Sequence, residues 1–344
     1  MTVNFVYDQR NKELDWYASS YKPVFDSHVD PILKHLPDAR KVKEPVPGEI
    51  NVRFFHFMRD KYGVFMSHGI ADKNWRTPDK LYGFSHVCVS GPGWRDRYVQ
   101  WGLHESRILM VGYPKLDVLW PAPEGEGVLW APTHAGTHSY PSSYYGIEAA
   151  LPYLEFDVKV APHPRNRPIK ATTLGELSDA RVVIADCGST VYEAWALGKP
   201  VVFPSWLVRQ KVLARWPGSY EAQIYLAGIG RHAKDAQDLN RLVGEAMDGG
   251  ITEAEEQFIE QILPREFRGV SGRMAADVLG KLPDPKPVTL PARFVSERYP
   301  RLAVVTPSGK TVRFTNGKLV TKDLAVAEYL TNSMLPIAPV EVCE

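Results

Sequence analysis

The sequence predicts an α/β protein with two domains, each built on a parallel sheet, followed by a small C-terminal β/α appendage. Short apolar, β-branched segments alternate with helix-forming segments along most of the chain, which is typical of parallel sheets covered by helices. Two proline-rich stretches, 121–127 and 283–291, interrupt this alternation. The 344 residues suffice for two domains of ordinary size. We therefore expect an N-terminal domain at 1–121, a second domain at 122–282, and a linker with a ββα appendage at 283–344.

The first domain contains apolar segments that we interpret as strands, several of which run into glycine and polar residues. The clearest is G-V-F-M-S-H-G at 63–69, where a buried strand leads into a glycine turn. The segment at 52–58 fits either a strand or a short buried helix. The remaining strands are expected at 4–7, 86–91 and 107–111, and helices at 29–36 and 94–103.

The second domain is organised around the segment R-V-V-I-A-D-C-G-S-T-V-Y-E-A-W-A-L-G-K-P-V-V-F-P at 181–204. Its apolar start reads as a buried strand, and Thr190 and Glu193 match a capping box that would begin a helix. Small hydroxyls and backbone N–H groups at such a helix start favour phosphate binding. Other strands are expected at 128–134, 158–165 and 201–203, and helices at 206–216, 238–247, 253–262 and 272–279.

The appendage shows a different pattern of short strands and tight turns. A Pro-Ser-Gly-Lys turn lies between strands expected at 302–306 and 311–314, and Asn316 and Gly317 form a second turn before a strand at 318–320. A helix is expected at 323–330. About 50 residues are too few for a comfortable independent core, so we expect the appendage to dock.

The composition limits the classes of function. Lys and Arg number 41 against 40 Asp and Glu, and this balance disfavours nucleic acid as the main partner. The chain shows no long apolar run and no signal-peptide pattern, so we expect a soluble, cytoplasmic protein, with peripheral membrane contact left open. Three scattered cysteines without metal-ligand spacing predict free thiols in a reducing compartment.

Three strands of the second domain end in polar residues, and these residues are the candidates for a binding site. Because ligands bind at the carboxyl ends of strands in open α/β sheets, the three ends are expected to converge. Imidazole, guanidinium and hydroxyl donors there would suit a diphosphate, and a glycine would let it approach closely. Each residue also has a structural explanation, as a loop cap, a solvated charge or a helix cap. The candidates are Thr133, His134, His163, Arg165, Gly188, Ser189, Thr190 and Glu193.

Two of these segments resemble the donor-phosphate site of the CDP-glycerol glycerophosphotransferase (teichoic-acid polymerase) family, whose members have the GT-B fold. A-P-H-P-R at 161–165 and D-C-G-S-T at 186–190 lie about 25 residues apart. They are similar to the family patterns K-[PT]-H-P and D-x-x-S-[ST]. The second segment is also similar, more loosely, to the D-S-G-G-x-x-E-E pattern of UDP-GlcNAc 2-epimerases. The resemblance extends over about residues 60–280.

In the first domain, His68, Gly69 and Lys73 resemble the family segment H-G-x-x-x-K. There the histidine is taken as the base that deprotonates the acceptor hydroxyl, and an imidazole with a pKa near ~6.5 can do so at neutral pH. The alternative is a buried histidine bonded to the backbone. G-Y-P-K-L-D at 112–117 resembles the pattern G-x-P-R-x-D, with Lys115 in place of the arginine. Lys73 and Asp117 are therefore expected on the acceptor side or in the cleft.

The resemblance implies two Rossmann-like domains facing a cleft and a metal-independent transferase. The donor would be a CDP- or UDP-activated substrate bound to the second domain, with no permanently bound cofactor. The transferred sugar or glycerol phosphate would pass to a hydroxyl of a glycan, a polyol phosphate, a protein or modified DNA. Glu193 would accept hydrogen bonds from the ribose diol.

Three alternatives stay open at the level of sequence. One is a phage-type glycosyltransferase that modifies a protein or a hydroxymethylated DNA base. Another is an enzyme like the UDP-GlcNAc 2-epimerases, which would need further carboxylates as acid and base. The third is a non-catalytic nucleotide-binding or structural protein, in which His68 has no activity to support.

Overall fold

A computed structural model of the chain describes most of its length. The described residues are 2–7, 15–55, 63–74, 78–81, 83–137, 139–168, 171–283, 291–306, 310–332 and 335–340.

The first sheet has six parallel strands in the order β2-β1-β3-β4-β5-β6. Apolar side chains from its strands, such as Phe5 and Val52, are fully buried. The predicted strands at 4–7, 63–69, 86–91 and 107–111 are confirmed. Of the two alternatives for 52–58, the start of the segment is a strand, and residues 56–58 lie outside the described residues. The elements are β1 (Val3–Val6), α1 (Asp15–Leu33), β2 (Arg40–Val42), β3 (Ile50–Arg53), β4 (Val64–Met66), α2 (Pro78–Leu81), β5 (His86–Val89), α3 (Pro92–Gln100) and β6 (Ile108–Met110).

Two elements of this half differ from the prediction. Helix α1 begins at Asp15, well before the predicted start at residue 29. The prediction missed its first part because prolines such as Pro23 usually interrupt a helix. Strand β2 was missed because it is a three-residue edge strand whose Arg40 and Lys41 are exposed.

The second sheet has five parallel strands in the order β11-β10-β9-β7-β8. The expected strands are confirmed, whereas β11 has only two residues and was not foreseen. The elements are β7 (Gly127–Ala131), α4 (Ile147–Ala150), β8 (Val158–Val160), α5 (Leu174–Asp179), β9 (Ala180–Ala185), α6 (Ser189–Ala196), β10 (Val201–Phe203), α7 (Ser205–Arg215), α8 (Tyr220–Ala227), β11 (Arg231–His232), α9 (Ala236–Gly249), α10 (Glu253–Ile262) and α11 (Ser271–Leu279).

Helix α11 follows the second sheet in sequence but packs against the first. Its Ala275, Ala276 and Leu279 belong to the same buried cluster as Phe5 and residues of α1. A Cβ at Gly272 would lie 2.6 Å from the carbonyl oxygen of Pro31, so only glycine allows this approach. The chain therefore crosses between the two sheets twice, and the domain boundary expected after residue 282 stays a prediction.

The appendage forms a small β/α unit with its own core around Phe294, Phe314 and Leu330. The predicted strands and helix are confirmed, with the turn at Asn316 and Gly317 in the left-handed region. Two strands were not foreseen: β12, which pairs with β15, and β16, which pairs with the other edge of β12. The elements are β12 (Ala292–Val295), β13 (Ala303–Val305), β14 (Thr311–Arg313), β15 (Lys318–Thr321), α12 (Leu324–Asn332) and β16 (Ala338–Pro339).

Two further observations concern predictions made from the composition. Cys88 and Cys187 are buried free thiols, and Cys343 lies outside the described residues. Among the helices in the described ranges, none combines the length and apolar character that crossing a bilayer requires.

Candidate active site

A cavity of about 370 Å³ lies where strands of the two sheets end. Most of its walls come from the segments that follow β4 and β6 in the first sheet and β7, β8 and β9 in the second. We call the part of the chain that forms the first sheet the first half, and the part that forms the second sheet the second half. Residues from three distant parts of the second half thus meet residues of the first half. All eight donor-site candidates and two first-domain candidates line it: Thr133, His134, His163, Arg165, Gly188, Ser189, Thr190, Glu193, His68 and Lys73.

One predicted site residue lies elsewhere. Asp117 is not among the lining residues, and its carboxylate accepts hydrogen bonds from the N–H groups of Ser271 (3.2 Å) and Gly272 (2.6 Å). It therefore binds the start of α11, where an anion is favourable. Burial raises the pKa of Asp117, and these two N–H donors oppose the rise. Asp117 is a structural residue of the domain crossing.

The start of α6 differs from the sequence prediction. The capping box at Thr190 and Glu193 is wrong: the helix begins at Ser189, and its N-cap is Gly188, whose position makes no side-chain capping bond. The Ser189 hydroxyl instead accepts from the N–H of Ala71 at 3.4 Å, which joins the first-domain loop to the helix. The helix start thus lies in the cavity wall without a side-chain cap, an arrangement that suits an anion.

Nothing in the described part of the structure requires a glycine at position 188. Its φ of −91° is open to any residue. A Cβ there would meet Thr133 at 3.6 Å, an ordinary contact. The missing side chain therefore leaves space in the cavity that protein packing does not require.

The two cavity-lining histidines of the second half, His163 and His134, are held neutral. Loss of water contact lowers the pKa of His163 well below its usual value, and the charges of Lys73 and neighbouring imidazoles add to this. The ring is nevertheless open to the cavity. Its Nδ1 accepts from the N–H of Arg165 at 3.2 Å, so the neutral ring carries its proton on Nε2 and can donate. Burial, with Lys73 as the main charge, lowers the pKa of His134 to about 4.

His68 has the opposite tautomer. Its Nδ1 lies 3.2 Å from the carbonyl oxygen of Phe54, which can only accept, so Nδ1 carries the proton. The Phe55 ring lies beside it, at 4.8 Å between centroids. In the neutral ring Nε2 then holds a lone pair, as a general base requires. His68 is thus both bonded to backbone and placed in the cavity wall.

Lys73 connects the two halves inside the cavity. Its buried ammonium donates to the Thr133 hydroxyl at 2.8 Å. Burial alone would lower the pKa of Lys73, but nearby acidic groups, Cys187, Tyr140 and Glu221 first among them, raise it. The residue therefore stays cationic at the junction.

Glu193 is bonded to a distant segment of the chain, at 113–115, that was not expected beside it. Its buried Oε1 accepts from the Tyr113 hydroxyl at 3.0 Å and from the Lys115 ammonium at 2.6 Å. Its Oε2 has no partner among the described residues, and Glu193 lines the cavity. Tyr113 and Lys115 lie three and five residues after the end of β6, so their position beyond a strand end was the signal that could have found them.

Asp186, the first residue of the D-C-G-S-T segment, supports the cavity from behind. Its carboxylate accepts from the N–H groups of Thr133 (3.0 Å), Ser143 (2.8 Å) and Cys187 (2.7 Å) and from the Ser143 hydroxyl (2.9 Å). It thereby fixes the loops that follow β7 and β9 relative to each other. Nothing in the sequence around Asp186 indicates this role, because its partners lie up to 53 residues away.

The electrostatic character of the cavity suits an anionic ligand. Among the described lining residues three carry a fixed positive charge, Lys73, Lys115 and Arg165, and one, Glu193, carries a carboxylate. Neutral imidazoles and hydroxyls complete the polar wall. Cationic and hydrogen-bond donating groups together are the usual environment of a bound phosphate.

Comparison with solved structures shows what the chain is similar to. It matches the wall teichoic acid polymerase TagF, H444N variant, with 12% identity over 82% of this chain and 88% of that chain, at a TM-score of 0.56. The same variant soaked with CDPG matches with 13% identity, 81% and 88% coverage and a TM-score of 0.53. The UDP-GlcNAc 2-epimerase from Neisseria meningitidis bound to UDP-GlcNAc gives 12% identity, 82% and 100% coverage and a TM-score of 0.45. Neither a protein-family model nor a curated protein sequence matches the chain.

Proposed function

We propose that this chain, which has the GT-B fold, transfers a sugar or a glycerol phosphate from a CDP- or UDP-activated donor to an acceptor hydroxyl. One observation carries the proposal. A single cavity has His68 of the first half in its wall together with His163, Ser189 and Thr190 of the second half. The fold likeness to TagF, one structure of which was soaked with CDPG, supports a nucleotide donor.

The donor diphosphate would bind the second half. The uncapped start of α6 offers backbone N–H groups, and His163 Nε2–H adds a donor. Gly188 leaves room for a phosphate oxygen to approach. Arg165 supplies positive charge that would stabilise the leaving group.

His68 would act as the base. Its Nε2 takes the proton of the acceptor hydroxyl while the acceptor oxygen bonds to the anomeric carbon of a sugar donor or to the distal phosphorus of a glycerol phosphate donor. The bond from that atom to the phosphate oxygen beyond it breaks. The leaving group is a nucleoside diphosphate in the first reaction and a nucleoside monophosphate in the second. The nucleotide released therefore distinguishes the two reactions.

Glu193 would bind the ribose of the donor. Its Oε2 is buried, faces no partner in the described part of the chain, and belongs to a cavity-lining residue. A carboxylate oxygen in this state needs a donor, and a ribose hydroxyl supplies one.

The cavity favours transfer over epimerisation. Of the described lining residues Glu193 is the one carboxylate, and it is already paired with Lys115 at 2.6 Å. An epimerase of this fold would need further carboxylates in the cleft as acid and base.

The nucleotide site is tested by thermal stabilisation. CDP, UDP, GDP and dTDP are screened, and a nucleotide at 100 times its Kd should stabilise the protein by about 2.7 kcal/mol. We expect CDP or UDP to raise the melting temperature. Gly188→Ala should fold with unchanged stability, because its Cβ meets only an ordinary contact, yet lose at least ~10-fold in nucleotide affinity because the phosphate approach is blocked.

The matched control is Gly175→Ala, at a position in α5 with open space around it and outside the cavity. It should bind nucleotide like the wild type. Absence of stabilisation by every nucleotide would contradict a donor site, and unchanged binding by Gly188→Ala would contradict its placement.

A further inference from the structure

We infer that Lys115, with Tyr113, is a positioning residue that fixes Glu193 so that Oε2 alone is available to the donor's ribose. This inference rests on the proposed function. It adds that recognition of the ribose depends on a segment that follows β6 of the first sheet.

The geometry divides the carboxylate into two oxygens with different environments. Oε1 receives both donors, the Tyr113 hydroxyl at 3.0 Å and the Lys115 ammonium at 2.6 Å. Oε2 receives none from the described residues, although Glu193 is fully buried. An ionised carboxylate accepts at both oxygens, so this arrangement leaves one oxygen for a ligand.

The ion pair is withdrawn from water. The side chain of Lys115 is 9% exposed and that of Glu193 is 1% exposed. Because both groups are desolvated, losing Lys115 would leave an uncompensated buried charge. The carboxylate would then be able to reorient, and Oε2 would no longer be the oxygen kept for the ligand.

The segment that carries the donors is itself fixed. The Tyr113 N–H donates to the Ser271 hydroxyl at 2.8 Å. The Tyr113 ring and the buried His28 ring pack edge to face, with their centroids 5.1 Å apart. Gly112, with φ +75°, would place a Cβ 2.1 Å from the Ser271 oxygen. Little rotation of the segment is therefore possible, and the two donors hold Glu193 in one orientation.

A purely structural role makes a different prediction. If the pair served stability alone, its loss would weaken the binding of every nucleotide by the same factor. A positioning role affects only the contact with the ribose hydroxyls. The ratio of affinities for a ribonucleotide and for its counterpart without the diol separates the two.

The experiment measures Kd by calorimetry for CDP and UDP, each against its 2′,3′-dideoxy counterpart. The wild type should prefer the ribonucleotide by about 10-fold or more, the usual effect of a hydrogen bond to a charged group. In Lys115→Met the preference should fall to about 2-fold or less, and Lys115→Arg should restore it because the guanidinium keeps the charge and the donors.

The outcomes are distinct. A folded Lys115→Met variant that keeps the wild-type preference overturns the inference. If that variant does not fold, Tyr113→Phe, which removes one hydroxyl and keeps the ring, must lower the preference; an unchanged preference overturns the inference. A wild type that binds nucleotides without preference overturns the role of Glu193 and this inference but leaves a nucleotide site. A wild type that binds no nucleotide contradicts the proposed function itself.

Discussion

Individual residues in this protein show how burial changes the chemistry of a side chain. His28 is fully buried, its Nδ1–H donates to the Val24 carbonyl at 2.8 Å, and its Nε2 has no partner among the described residues. Burial, opposed by that hydrogen bond and aided by the charge of Lys115, lowers the pKa of His28 to about 3. The folded protein therefore keeps this imidazole neutral in mildly acidic solution.

This residue should make the fold sensitive to acid. In the unfolded chain the His28 pKa returns to about 6.5, so between pH 6.5 and 3 the unfolded state binds more protons and folding stability falls as the pH falls. At pH 5 one such histidine removes about 2 kcal/mol relative to neutral pH. We expect His28→Leu to show a smaller loss of stability between pH 7 and pH 5, by about that amount, in urea denaturation.

The comparison between pH values is independent of any change that the substitution causes at pH 7. His104→Leu, at an exposed histidine outside the cavity, should keep the full acid sensitivity. An identical pH dependence in the wild type and in His28→Leu would contradict the assignment.

At the scale of elements, the strands of both sheets except the short β2 and β11 were predictable, and the helix starts were less so. The same pattern, a hydroxyl residue followed three positions later by glutamate, has two outcomes in this chain. At Thr252 and Glu255 a capping box forms, with the Glu255 carboxylate accepting from the Thr252 N–H at 2.7 Å. At Thr190 and Glu193 none forms, because the helix already begins at Ser189. The Glu193 carboxylate binds Lys115 and Tyr113 instead. A local pattern cannot reveal a partner nearly 80 residues away.

The same limit applies to the site. Polar residues at strand ends were sufficient to predict that His163, Ser189 and Thr190 face one space, because parallel strands end at one edge. The sequence could not predict that Asp186 fixes the loops behind them or that Asp117 binds the start of α11. Both roles depend on the packing of whole elements.

The loop contacts of Asp186 give a prediction at this scale. Asp186→Asn should reduce the free energy of unfolding by about 3 kcal/mol, because an amide has one accepting oxygen and would present its own donors to the N–H groups of Thr133 and Ser143. Urea denaturation measures the change. Asp179→Asn, at a largely exposed carboxylate, should change stability by less than ~0.5 kcal/mol. Equal effects of the two substitutions would contradict a structural role for Asp186.

At the scale of the whole molecule, the two sheets share a buried interface. Trp94 and Tyr98 of α3 belong to the same apolar cluster as Phe258 and Ile262 of α10. A polar network adds to it: the Glu221 carboxylate accepts from the N–H groups of Asp72 (2.9 Å) and Lys73 (2.8 Å), and Asp72 pairs with Arg97. We therefore expect the two halves to unfold in one cooperative transition.

Close packing across this interface is testable at Gly91. A Cβ there would lie 2.6 Å from the carbonyl oxygen of Ile262 and 2.8 Å from Pro264 Cδ. Gly91→Ala should thus push α3 away from α10, lower the melting temperature by several degrees and separate the calorimetric transition into two. Gly175→Ala, in a helix with open space around it, should be neutral or slightly stabilising. A single unshifted transition in Gly91→Ala would contradict close contact between the halves.

We propose that the second half of the chain binds the donor and that the first half activates the acceptor. The most direct test compares His68→Gln with His163→Gln in two assays: the Kd of the nucleotide found in the screen, and the rate of nucleotide release from its donor with polyol, sugar, protein and DNA acceptors. We predict that His68→Gln keeps nucleotide affinity within about 2-fold and loses at least ~100-fold in rate, the usual contribution of a general base. His163→Gln should lose both reaction rate and nucleotide affinity. Full turnover by His68→Gln, or loss of nucleotide binding in it, would contradict the account.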